Sequence, residues 1–306
     1  MPERVRITDV SPRDGLQNEP GLIPTADKVR LVELLGAAGV DEVEVSSFVS
    51  PKWVPQLADA ADVFAALRGR KPPGVAHSAL VPNERGMRAA LRVNEAAGER
   101  LIDKVAVFTA ASETFCRRNT NATIAETLER FAPVLRLAQE SALPVRGYVS
   151  CAVQCPYEGP IAPQRVADAA ARLLDLGVDE IDLGETIGAG TPDSVSAMLE
   201  AVMARLGTAR GRAAWPPLLT LHLHDTFGRA AECVRAALRL GVRSFDGAAG
   251  GLGGCPFAST PARRAPGNVA TETLARVVVE EGYAVGLNGG ALATAAAHAR
   301  GLRAGV

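Results

Sequence analysis

Three stretches of the chain read almost alike: LGAAGVDEVEV (35–45), LDLGVDEIDL (174–183) and LRLGVRSFD (238–246). Each ends an apolar-periodic run with a glycine, at Gly39, Gly177 or Gly241, and passes at once into a β-rich run. Glycine suits the left-handed position that closes a helix. The run after it alternates or is continuously apolar, as a strand does. The three stretches are therefore helix-to-strand junctions, and they set the rhythm of the chain. Five more β-rich runs fit between and around them: VRITDV (5–10), GVAHSALV (74–81), DKVAVFTA (103–110), PVRGYVSC (144–151) and LLTLHLHD (218–225). Amphipathic stretches such as TADKVRLVELLGAAG (25–39), NATIAETLERFAPVLRLAQE (121–140) and ADAAARLLDLG (167–177) separate them. Eight β/α units predict an α/β fold, a (β/α)8 TIM barrel, with an additional C-terminal helix from about Asn288. The competing doubly wound sheet would carry a GxGxxG turn after its first strand, and none is present. No Pro/Ser-rich linker divides residues 1–306, so one barrel domain is expected.

Composition narrows the function classes. The 306 residues are 47% hydrophobic and 22% charged with a formal net charge of −1. That is an ordinary globular balance. It lacks the basic excess of a nucleic-acid or membrane-surface binder, so neither partner is expected. No apolar run is long enough for a membrane span. The N-terminus MPERVRITDV has neither a signal-peptide core nor a transit-peptide composition. Five cysteines in a chain of this length imply free thiols in a reducing compartment, and a cytoplasmic location is expected.

In a (β/α)8 barrel the chemistry sits at the C-terminal ends of the strands. The first run ends in Arg13-Asp14, the second carries Glu44 and ends in Ser46-Ser47, and the sixth ends in Glu185-Thr186. The seventh holds His222 and His224, and the eighth leads into a glycine-rich loop ending in Cys255. His222 and His224, two apart on a strand, face one side. Either they hydrogen-bond inside the mouth, or they join a carboxylate in a divalent-metal site. Asp14 and Asn268 can supply oxygen ligands, and such a mixed set suits Mg2+ or Mn2+, with Zn2+ or Co2+ as substitutes. Arg13 is placed to neutralise an oxyanion. Glu44, buried in a strand, needs a partner such as Arg13. Cys255 on its flexible loop is a proton donor, a nucleophile or a bystander; Cys116, Cys151, Cys155 and Cys233 read as structural.

At these positions the sequence resembles the 3-hydroxy-3-methylglutaryl-CoA lyase family of metal-dependent lyase barrels. The matching words run in order: SPRDGLQNE (11–19), EVSSFVSPKWVPQLAD (44–59), ASETFCRRN (111–119), RGYVSC and CPYEG (146–159), LGETIGAGTP (183–192), HLHDTFG (222–228), GLGGCPFA (251–258) and GNVATE (267–272). The resemblance implies metal ligands at Asp14, His222, His224 and Asn268, and a catalytic set of Cys255, Arg13, Glu44, Asp14 and His222. It implies substrate contacts at Arg13, Gln17, Ser47 and Thr186. The activity it implies is retro-Claisen cleavage of an acyl-CoA, 3-hydroxy-3-methylglutaryl-CoA, to acetyl-CoA and acetoacetate, by a homodimer. Departures stand at Glu185, where the family has Asp, at Phe257, at Thr273, and in STPARRAP (259–266), which is longer than the family's linker. The altered linker keeps a longer-branched substrate such as 3-hydroxy-3-isohexenylglutaryl-CoA open. A Claisen-type synthase and a non-catalytic barrel are the further alternatives.

Overall fold

The structure is a computed structural model and describes residues 2–207, 219–254, 259 and 265–304. Ten strands occur among them: β1 Arg6–Asp9, β2 Glu42–Ser47, β3 Ala76–Leu80, β4 Lys104–Ala110, β5 Val145–Ser150, β6 Gln154–Cys155, β7 Gly159–Pro160, β8 Glu180–Glu185, β9 Leu219–Leu223 and β10 Ser244–Gly247. All but the short β6–β7 hairpin are parallel and close in the order β1-β10-β9-β8-β5-β4-β3-β2. The eight barrel strands coincide with the eight β-rich runs. Helices α1 Thr25–Ala38, α2 Ala60–Ala66, α3 Glu84–Ala97, α5 Ile124–Glu140, α6 Pro163–Leu176, α7 Pro192–Gly207, α8 Ala230–Arg239 and α9 Thr271–Glu280 form the outer ring. A short α4, Glu113–Thr120, is added after β4, and the expected C-terminal helix is α10, Gly289–Ala304. The barrel and its extra helix are thus those read from the sequence. At the three junctions the glycines sit at φ +81 (Gly39), +108 (Gly177) and +94 (Gly241), where a Cβ would be strained.

The apolar core is a belt between the outer face of the sheet and the helices. Val43, Val45, Val105, Val107, Ile181, Leu183, Leu221 and Phe245 are all essentially inaccessible. Each such side chain contributes about 1.5–3 kcal/mol on burial. The inner face is different. Barrels of this class are usually filled by Val, Ile and Leu; here the inward positions include Thr8, Glu42, Arg146, Glu180, Asp182, Thr220, Ser244 and Asp246, all buried. Arg146, 1% exposed at its side chain, is the hub. Its Nη2 lies 2.8 Å from Glu180 Oε1 and 3.3 Å from Glu42 Oε2, and its Nη1 lies 3.2 Å from Asp246 Oδ1 and 3.4 Å from Asp182 Oδ2. Lys104 Nζ closes the set at 2.6 Å from Glu42 and 2.7 Å from Glu180. Four carboxyls against two cations would leave excess charge. Burial, and then the neighbouring Asp246 charge, push the Asp182 carboxyl well above its ordinary range, which eases that excess.

Candidate active site

The segment after β1 is a π-helical turn, Ser11–Gly15, in which the N–H of Gly15 reaches back to the carbonyl of Val10 at 3.1 Å. Such turns are rare and tend to occur at functional sites. Pro12 suits its first turn. Asp9 anchors it, accepting from Ser11 N at 2.9 Å and Thr271 Oγ1 at 2.6 Å. The turn delivers Arg13 and Asp14 to the barrel mouth. Arg13 Nε donates to Glu44 Oε2 at 2.5 Å, and Nη1 to Asp14 Oδ1 at 2.6 Å. Gln17 Nε2 also donates to Asp14 Oδ1, at 2.7 Å, and Asn268 Nδ2 to Asp14 Oδ2, at 2.9 Å.

His222 on β9 and His224 one residue past its end project to one side, as alternation requires, with ring centroids 5.4 Å apart. One ligand atom from each of Asp14, His222 and His224 lies within 4.8 Å of the others. Asn268 joins them through an antiparallel bridge with His224. Two glycines let the chain close in here. A Cβ on Gly267 would lie 2.9 Å from the backbone of Gly254, and one on Gly253 (φ +116) would lie 3.0 Å from Asn268 Nδ2. Asn268 Oδ1 and His224 Nδ1 are buried with no hydrogen-bond partner among the described residues. A buried polar atom without a partner costs about 1–3 kcal/mol. A divalent cation among these four residues would satisfy such atoms, and the donor set of one carboxylate, two imidazoles and an amide oxygen suits it.

The electrostatics follow from the packing. Burial would raise the Asp14 carboxyl, but Arg13, then His222 and His224, outweigh it and hold it down at about 2. Burial, then the charge on His222, takes His224 down to about 4. Burial also opposes charge on His222, but its hydrogen bond to Asp246 and the charge of Asp14 raise it on balance. Glu185, 1% exposed, turns back and accepts from Ala189 N at 3.1 Å. Burial lifts its carboxyl to about 7 against those backbone N–H groups. It shapes the turn that presents Thr186.

A cavity of about 640 Å3 opens over the cluster. Arg13, Asp14, Gln17, Ser47, Thr186, His222 and His224 line it. Glu44 lies behind Arg13 rather than in the wall, and it orients the guanidinium. Cys255 and Phe257 lie outside the described residues. Cys116, Cys151, Cys155 and Cys233 are free and buried. Two groups were not singled out from sequence. Tyr148 lines the cavity with Arg13 over its ring at 5.6 Å, and Asp246 lies beneath His222. The i, i+2 pair Arg146/Tyr148 in RGYVSC was the available signal for the inner face of β5.

The HMGL-like family model matches residues 4–298. The chain belongs to the HMGL-like family. Within reach of it, a Pseudomonas aeruginosa protein described as 3-hydroxy-3-isohexenylglutaryl-CoA/hydroxymethylglutaryl-CoA lyase is 47% identical over 272 residues, 89% of this chain and 84% of that one. The crystal structure of a Brucella melitensis HMG-CoA lyase superposes with a TM-score of 0.89 at 46% identity, over 99% of each chain. An Acinetobacter baumannii HMG-CoA lyase, solved in complex with coenzyme A and 3-methylmalate, gives 0.86 at 32% identity, over 98% of this chain and 92% of that one. Among the described residues, no helix is long and apolar enough to cross a membrane.

Proposed function

We propose that the chain, acting as one barrel domain over residues 1–306, is a hydroxymethylglutaryl-CoA lyase. It cleaves 3-hydroxy-3-methylglutaryl-CoA to acetyl-CoA and acetoacetate. The observation that carries this is the Asp14–His222–His224 cluster at the cavity floor with Arg13 beside it. Asp14, His222, His224 and Asn268 would hold Mg2+ or Mn2+. When bound, such a cation supplies Lewis acidity that makes the C3 hydroxyl easier to deprotonate. Of the two candidate bases in the cavity wall, Asp14 and His222, Asp14 is the one placed to take that proton, because His222 has Nδ1 on Asp246 and would hold the cation with its other ring nitrogen. Cleavage of the C2–C3 bond leaves a thioester enolate. Arg13 has five N–H donors, and its contacts with Glu44 and Asp14 use at most three. The others stabilise the enolate oxygen. Glu44 fixes the guanidinium, and Gln17, Ser47 and Thr186 contact the substrate. Cys255 supplies the proton that quenches the carbanion, since an ordinary thiol of pKa about 8.5 is protonated near neutrality. The four free thiols support a reducing, cytoplasmic setting. A homodimer rests on the family resemblance.

Leu80, Pro82, Phe108 and Phe131 give the cavity an apolar lobe. That lobe, together with the Pseudomonas relative's description, supports a second reading: a longer-branched 3-hydroxy-3-isohexenylglutaryl-CoA as an additional substrate. A panel of 3-hydroxy-3-acyl-CoA thioesters with Mg2+, compared by kcat/KM, tests both. Divalent-dependent acetoacetate release from the methyl substrate is expected. No release with Mg2+ or Mn2+, or release unaffected by a chelator, overturns the assignment.

A further inference from the structure

Asp246 is paired in register with His222 across β10 and β9. It is 1% exposed, and both its carboxylate oxygens are committed. Oδ1 receives Arg146 Nη1 at 3.2 Å; Oδ2 lies 3.3 Å from His222 Nδ1. Arg146 is itself tied to Glu180, Glu42 and Thr8 on other strands, at 2.8, 3.3 and 3.1 Å. Asp246 therefore cannot turn away from His222 without breaking a buried ion pair. An ion-paired carboxylate accepts only, so the imidazole must present Nδ1–H to it. The lone pair is then on Nε2, on the cavity side. His224 has no equivalent: no carboxylate hydrogen-bonds to its ring among the described residues. The two imidazoles of the cluster are thus unequal, one fixed from behind and one not.

We propose that Asp246 is a positioning residue that locks His222 in the Nδ1-protonated tautomer, anchored to the barrel interior through Arg146, so that Nε2 is offered to the divalent cation. The inference rests on the metal reading above. Carboxylates behind metal-bound imidazoles commonly fix ring orientation and tautomer, and their loss costs about 10–100-fold in metal affinity or activity.

Asp246→Asn discriminates sharply. Arg146 selects the amide oxygen, which turns the amide NH2 toward His222 Nδ1 and forces the proton onto Nε2. Mn2+ affinity of the purified full chain, without substrate, is measured by calorimetry or electron paramagnetic resonance. The expected result is a loss of about 10–100-fold in Asp246→Asn. In the His222→Ala background the same change should cost less than about twofold, because a residue acting only through His222 has nothing further to lose. Affinity within threefold of wild type, or an equal loss in both backgrounds, overturns the proposal. A second measurement needs no Asp246 variant. In the wild-type chain, 15N–1H correlations of His222, assigned by their absence in His222→Ala, should show the proton on Nδ1. A proton on Nε2 overturns the proposal. Wild type that binds no Mn2+ overturns the metal reading instead, and the tautomer measurement still decides the role of Asp246.

Discussion

Replacing Arg13 by Met should damage stability and catalysis by separable amounts. The side chain is 8% exposed, and its guanidinium lies 2.5 Å from Glu44 Oε2 and 2.6 Å from Asp14 Oδ1. Removing one partner of a buried ion pair typically costs 3–5 kcal/mol. Asp14 would keep Gln17 and Asn268, but Glu44 would be left alone. Burial already pushes the Glu44 carboxyl up, against the pull of Arg13. The loss should lie at the low end of that range, about 3 kcal/mol. Unfolding entropy near 2.1 cal/mol/K per residue over 306 residues gives about 0.6 kcal/mol/K. The melting temperature of Arg13→Met should fall by about 5 °C. The turnover of 3-hydroxy-3-methylglutaryl-CoA should fall by about 100-fold or more, as for the loss of one oxyanion donor. Arg13→Met/Glu44→Leu removes the stranded carboxyl and should restore most of the melting temperature and none of the turnover. Scanning calorimetry and acetoacetate release on the same preparations read the two effects. Turnover that returns with stability would show that Arg13 only holds the fold. A melting temperature within 1 °C of wild type in the single variant would refute the charge argument itself.

His224→Ala should weaken Mn2+ binding by more than about 100-fold, since it removes a ligand rather than a group behind one; unchanged titration calorimetry removes His224 from the ligand set. Glu185, with its carboxyl raised from 4.5 to about 7, contributes stability that is fully present below pH 4.5 and is lost as pH rises through about 7, to about 3 kcal/mol. The melting temperature of wild type should therefore drop more between pH 5 and 8 than that of Glu185→Gln, and parallel curves would contradict the raised value. Arg146→Met leaves Asp246 without its buried cation and Glu42 and Glu180 with Lys104 alone, and should yield little folded protein by circular dichroism, the cost exceeding about 5 kcal/mol; a cooperative melt near that of wild type would refute the hub role.

The barrel was legible because its signals are local. Alternation, helical periodicity and a glycine at each junction lie within windows of about ten residues, and all eight strands fell where those windows placed them. His222 and His224 were legible for the same reason: two residues on one strand share a face whatever surrounds them. Asp246 and Arg146 were not. Each is a single charge in an otherwise ordinary β-run, and Arg146 meets Asp246 across 100 residues of sequence. Glu44 was readable as a carboxylate in need of a partner, with Arg13 or a metal-bound group as the candidates; the π-helical turn at Ser11–Gly15 brings Arg13 to it and sets Arg13 between it and the cavity. Nothing in SPRDG announces that turn, because it is held by Asp9, Thr271 and the glycine-rich segment from the far end of the chain.

The ionic interior also bears on how the chain is made. As strands emerge in order, Arg146 arrives on β5 with Glu42 and Lys104 already present, and Glu180 and Asp182 follow one helix later. Its bond to Asp246 must wait for the last strand, and only that strand ties the hub to His222. A half-barrel ending after β5 would face two cations with one of their carboxylates, in a lumen open to water. Closure of this barrel is therefore a neutralisation event that needs both ends of the sequence. A nascent or proteolysed chain lacking β10 should stay open rather than close into a stable fragment.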